Sequence, residues 1–198
     1  FLQQPNANSW HGFIEREKWD MYNWIDTHLP PDSIVVSSDI EDAFLLPIYS
    51  SSKSLYAMKG LTNQTRDEAI KRYLYNMALF DKKEKIIDQF SKLSQHDMNN
   101  YIEFVYGEPQ KPYKHETAEV IIFLRQVIYY QNSKSFSTML INLNQRHQFE
   151  KILQEKSEEI EYLKYSFNYA ILPINTLVPH TFIDWDVAYQ NKQYLLFK

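Results

Sequence analysis

Glycine is nearly missing from this chain: Gly12, Gly60 and Gly107 are the only three in 198 residues. Phosphate-cradling loops need closely spaced glycines, because only a residue without a Cβ lets the backbone come so near a ligand. Three isolated glycines therefore exclude most such loops. Cysteine is absent, which removes disulfides, thiolate metal sites and a thiol nucleophile, while leaving the compartment open. Long apolar runs are missing too. The longest, residues 120–124, is far below the roughly 20 apolar residues of a membrane-crossing helix. Positive charge is in short supply: Lys and Arg number 21 against 25 Asp and Glu, for a net charge of -4. Basic residues do not gather beyond short pairs and triplets, so the stripe that nucleic acid would require is not there, and no nucleic-acid partner is expected. The six histidines are scattered without metal-ligand spacing, so no metal and no cofactor is expected. The serines at 37–38 and 50–52 sit in no G-x-S-x-G elbow, which leaves a serine hydrolase without support.

What is present is an ordinary apolar fraction, with aromatics unusually frequent and fifteen Tyr among them. The length suits one domain, or one domain with a helical insertion, and is enough to bury a core without staples. Residues 13–28 read as a helix. Tyr22, Ile25 and Leu29 recur at helical spacing, with Lys18 and Trp19 one turn earlier. Pro30 and Pro31 stop it. Ile34, Val35 and Val36 then form a compact β-branched run, the mark of a strand covered on both faces. Asp39 is placed to cap a helix over 41–46, and a second strand follows over 54–58, closing at Gly60. This is one β-α-β unit.

Beyond Gly60 the pattern turns helical. Thr65 and Glu68 make a capping box, and Ile70, Tyr73, Leu74 and Met77 share the face of the helix they begin. Two further amphipathic sets follow: Ile86, Phe90 and Leu93, then Met98, Tyr101, Ile102 and Val105. Residues 107–112 are a loop. Residues 115–130 read as helix in preference to strand, 136–144 as another helix, and 149–165 as a clear one. The sheet resumes at 169–172 and ends at Pro173. Residues 181–185 and 187–189 are extended, and 187–197 closes as a hairpin around Gln190, Asn191 and Lys192.

The stretches WIDTHLPPDSIVVSSD, LLPIYS and LYAMKGLT near the start, and FNYAILP and QYLLFK at the end, together resemble the soluble C-terminal domain of polytopic bacterial membrane proteins related to the C-type, lipid-linked-sugar-dependent glycosyltransferases. The resemblance covers about residues 13–65 and 160–198, and the long helical middle departs from it. It implies an extracytoplasmic domain that is not itself catalytic, since the catalytic carboxylate of such families lies in the membrane portion. The partners it implies are an N-terminal transmembrane region of the same polypeptide and a glycan or lipid-linked sugar. The chain begins at Phe1 and not at Met, so it is expected to be a piece of a longer polypeptide.

The fold expected is α/β: a small Rossmann-like sheet with flanking helices, a helical insertion over about 65–160 and a C-terminal β-hairpin, in one domain. Ligands of open α/β sheets bind beyond the carboxyl ends of the strands. Asp39, Glu41 and Asp42 follow the first strand and are suited to sugar hydroxyls or a divalent cation. Their alternative reading is a helix cap with two acids near the positive end of that helix. Lys59 and Thr62 follow the second strand, and Arg66 opens the next helix, where a phosphate would be favoured. A lysine beside a turn is also commonplace on a surface. Trp10, Trp19, Trp24 and Trp185, with Tyr49, Tyr56, Tyr129 and Tyr130, are suited to stacking on sugar rings, to a membrane interface, or simply to the core. Two rival functions stand beside the resemblance: a stand-alone nucleotide-sugar enzyme, and a protein-binding module docking through the helical middle.

Overall fold

A computed structural model describes residues 14–56, 65–93, 120–121 and 143–198. The chain is α/β. Five strands form one sheet in the order β2-β1-β3-β5-β4. β1 (Ile34–Ser37) is parallel to β2 (Lys53–Ser54) on one side and to β3 (Tyr169–Pro173) on the other. β5 (Tyr194–Phe197) runs antiparallel to β3, and β4 (Val187–Gln190) antiparallel to β5. Val35 pairs with Ser54 and also with Tyr169, so the two ends of the sequence meet across β1.

The β-branched run of β1 is covered on both faces. Val35 packs with Ile171 and Leu196 against Met21, Tyr22, Ile25 and Leu29 of α1 (Arg16–His28) and its end, and Leu46 of α2 (Asp42–Tyr49). Val36 faces the other way, with Leu55, Ala170, Leu172 and Phe197 against Phe80 and Phe182. Successive side chains of a strand point to opposite faces, which is why neighbouring valines serve different cores. A third core belongs to the helices. It joins Ile70, Tyr73, Leu74 and Met77 of α3 (Arg66–Leu79) to Ile86 and Phe90 of α4 (Lys83–Lys92), Leu153 of α5 (Leu143–Glu159), Val120 and Ile121. Val120 and Ile121 are helical and fully buried, in keeping with a helix at that point.

Local chemistry sets the boundaries. Leu29, before Pro30, turns to extended backbone and donates its amide to Ile25. Thr65 Oγ1 accepts the Glu68 amide at 3.2 Å and starts α3. Only that half of the capping box forms, because the Glu68 carboxylate is taken up by Arg72 Nε at 2.6 Å and by the Tyr165 hydroxyl. Glycine's scarcity leaves left-handed backbone to aspartate: Asp32 (φ 66) in the turn after the prolines and Asp81 (φ 55) after α3. Aspartate is among the few residues that tolerate this region.

Several boundaries differ from the expected ones. The second strand is Lys53–Ser54 and has ended by Leu55 and Tyr56, while residues 57–58 of the expected 54–58 lie outside the described residues. Leu55 still donates to Val35 at 3.1 Å, but the Ser54 hydroxyl then bonds the Tyr56 carbonyl and the chain bends. Leu55 and Tyr56 enter two different cores, so their apolar character marks a departure from the sheet. Residues 181–185 are not extended. Phe182 donates to Pro179 and Trp185 to Phe182, making tight turns that bury Phe182 among Phe80, Phe167 and Trp185. The last long helix ends at Glu159, with a 3-10 turn over Ile160–Tyr162. Trp19 is 42% exposed and lies off the apolar face of α1. The sets expected around 98–105, 107–112, most of 115–130 and 136–142 lie outside the described residues, as do Trp10, Tyr129 and Tyr130.

Candidate functional site

The loop after β1 gathers charge at the carboxyl end of the sheet. Here the chain leaves β1 for β2 on one side, while β3 lies on the other. This is the crevice where open α/β sheets bind ligands. α1 runs back over the sheet and delivers Lys18, on its buried face, to the same end. Lys18 Nζ stands 2.7 Å from Asp39 Oδ2, 3.2 Å from Asp42 Oδ1 and 3.3 Å from Glu41 Oε2. Its side chain is 5% exposed, and that of Asp42 1%. Asp39 and Glu41 remain 34% and 41% exposed.

Each carboxylate is held differently. Asp42 accepts the Tyr22 hydroxyl on Oδ1 and the Ser37 hydroxyl on Oδ2. Asp39 accepts the Glu41 amide at 2.9 Å, and its own amide donates to Ser37 Oγ at 3.1 Å. Asp39 therefore orders the turn before α2, whose N-cap is Glu41, with no side-chain cap bond. Two residues from α3 and the turn after it pin the loop from behind. Asn76 Nδ2 donates to the Ser37 carbonyl and Lys82 Nζ to that of Ser38, each at 2.7 Å.

Electrostatics separate the three acids. Burial would raise the Asp39 carboxyl, but the ammonium of Lys18, its hydrogen bond and the Glu41 amide outweigh burial and hold Asp39 below the ordinary range. Burial and the neighbouring Asp39 push Glu41 up. Burial likewise raises Asp42, against Lys18 and the two hydroxyl donors. Burial works against the Lys18 ammonium, yet the surrounding carboxylates keep it firmly charged. The Tyr22 phenol is pushed far up by burial and by Asp42, and so remains a donor. Tyr194 on β5, with Lys18 Nζ 6.0 Å from its ring centre, is pushed up to about 12, burial being the main cause.

Beside this cluster an open groove of about 850 Å³ is lined by Arg16, Glu17 and Asp20 of α1, Ile174 after β3, and Gln190, Asn191 and Lys192 of the hairpin turn. Asn191 ties the hairpin turn to α1 there, donating to the Glu17 carbonyl at 2.7 Å and accepting the Gln193 and Tyr194 amides. An aromatic run lies on the cluster's apolar side: Tyr22 stacks on Tyr49, and Trp19 meets Tyr49 edge-on at 5.4 Å.

Of the expected site residues, Asp39, Glu41 and Asp42 come together. Lys59 and Thr62 lie outside the described residues, and of Arg66 the backbone alone is described, in the first turn of α3. Sequence reasoning did not assign Lys18, Tyr22 or Ser37 to the site. The available signal was Lys18 itself, a charge on an apolar helical face one turn before Tyr22. The ammonium occupies the space between the carboxylates that a metal would need. Among the described residues no His, Cys, Asp and Glu side chains are grouped so as to hold a metal ion, and no helix is long and apolar enough to cross a membrane. No protein-family model, no curated protein and no solved structure matches this chain.

Proposed function

We propose that this chain is a non-catalytic, extracytoplasmic domain of a membrane-bound, glycosyltransferase-like protein, and that it holds a sugar or the sugar end of a lipid-linked substrate at the carboxyl edge of its sheet. The observation that carries the reading is the pair Asp39 and Glu41. Both are anchored on Lys18, and both keep about a third or more of their side chains open at the switch between β2 and β3. An ionised carboxylate has about four lone-pair sites, so Asp39 with two donors and Glu41 with one keep acceptor capacity for the hydroxyls of a sugar. Trp19 is a partly exposed ring on α1, edge-on to Tyr49, and the groove along α1 adds polar walls of both charges. Lys18, enclosed by three carboxylates, is engaged in structure and has little freedom to act as a base or nucleophile.

Isotope-labelled chain titrated with neutral mono- and disaccharides at millimolar concentration tests the site by NMR. The amides of residues 39–42 are expected to shift, and the shifts to vanish in a D39A/E41A variant. Shifts that survive in that variant, or amides unmoved by every sugar, would overturn it. Membrane attachment is tested on the full-length polypeptide carrying this sequence. It is expected to sediment with membranes and to resist alkaline extraction, and recovery in the soluble fraction would refute attachment.

A further inference from the structure

The Lys18 cluster carries more acid than base: one ammonium is shared by three carboxylates within 3.3 Å. Two of those carboxylates have contacts that only an ionised group makes well. Asp42 receives donors on both oxygens, and Asp39 receives the Lys18 ammonium on one oxygen and the Glu41 amide on the other. Glu41 has the longest of the three contacts with Lys18 and the most exposed side chain. Repulsion from Asp39 and Asp42 opposes its single attraction to Lys18. We propose that Glu41 is a proton-operated latch on this cluster: with a proton it stays against Lys18, and without one it swings to solvent.

The other titratable or charged groups facing the cluster do not supply the switch. From α1 and its approach come the Tyr22 phenol, held protonated, and Glu15, whose charge reaches Tyr194. From β5 comes the Tyr194 phenol, protonated up to about 12. From the turn before α4 comes Lys82, whose ammonium is bonded to the Ser38 carbonyl and adds to the pull on Asp39. Asp39 is held low and stays ionised. Burial raises Asp42 as well as Glu41, but Asp42 is enclosed with a donor on each oxygen. Of the two, Glu41 has room to move.

The sign follows from linkage. A carboxyl raised in the folded chain stabilises the fold fully below its unfolded value and loses that contribution as pH rises through the folded value. For Glu41 the window thus opens above the ordinary 4.5 and extends upward. Asp39 acts oppositely, its contribution fading as pH falls below 3.8 toward its lowered value. The latch opens on the alkaline side of the Glu41 titration.

Carbon-13 NMR of the glutamate side-chain carboxyls, with nitrogen-15 detection of the Lys18 ammonium, reads the latch in the full chain without ligand. The Glu41 midpoint is expected to lie above its value in the urea-unfolded chain. The Lys18 ammonium shift should follow the same midpoint, and in E41Q it should become independent of pH across that range. A Glu41 midpoint at or below the unfolded value would overturn the proposal. So would a Lys18 signal that ignores Glu41, or one that still titrates in E41Q. Because no sugar is present, these outcomes are separate from the fate of the sugar-binding reading.

Discussion

A single lysine decides the character of the candidate site. Lys18 is surrounded by acids and almost wholly buried, so its removal leaves Asp39 and Asp42 facing each other without a counter-ion. Breaking a buried ion pair by deleting one partner costs about 3–5 kcal/mol, and K18M is expected to fall in that range by urea unfolding at neutral pH. The deficit should shrink in acid. Asp39 is held below its ordinary value largely by Lys18, so the stabilisation it brings is present above pH 3.8 and lost as pH falls through the folded value. A K18M deficit of the same size in acid and at neutrality would mean that Lys18 acts through packing alone. At this scale the site was partly legible from residue order alone. Asp39, Glu41 and Asp42 were visible as a cluster behind a strand, but their cation was not, because nothing local links positions 18 and 39. The 21-residue separation of Lys18 from Asp39 is bridged by α1 running back over the sheet, which only the tertiary fold provides.

Elements in this chain were legible where their signal is short-range. β1 and the end of α1 lie where β-branching and the paired prolines put them, and α3 begins at its threonine cap. Signals failed where an apolar run served packing and not pleating, as at Leu55, Tyr56 and Phe182. The two left-handed aspartates show how element ends are made with little glycine. Asp81 lies between α3 and α4, its amide donating to Ala78, and Lys82 donates to Met77 just after it. A β-branched side chain there meets the carbonyl clash that costs roughly 1–2 kcal/mol per left-handed residue. D81V is therefore expected to lose about 1–2 kcal/mol in urea unfolding. D81G should stay within about 0.5 kcal/mol of the natural chain, because relief of that clash is offset by the greater entropy of the unfolded glycine. Equal stabilities for the two variants would show that the turn does not depend on its backbone angle.

At the scale of the molecule, the sheet is closed by its last strands. β1 is the hub, yet β3, its long-range partner, lies more than a hundred residues further on, and β5 covers the far side of β3. Leu196 enters the core under α1 and Phe197 the core on the opposite face, so β5 stitches both faces at once. Sequence reading placed these strands and the hairpin, but not their order, since alternation along a strand carries no information about its neighbour. The order explains why the candidate site depends on the C-terminus: Tyr194 flanks Lys18, and Asn191 ties the hairpin turn to the backbone of α1. A chain ending at residue 186 would expose Ala170, Ile171 and Leu172 along β3 and lose Leu196 and Phe197. Each buried side chain of that size is worth about 1.5–3 kcal/mol, while whole domains are stable by only about 5–15 kcal/mol. The truncated chain is therefore expected to keep much of its helical circular dichroism from α3, α4 and α5, whose core is separate. It should lose its near-ultraviolet aromatic signal around Tyr22 and Tyr49, along with cooperative unfolding. A cooperative transition near the midpoint of the full chain would show that β1, β2 and β3 hold α1 unaided, and the Lys18 cluster would then be independent of the hairpin that now borders it.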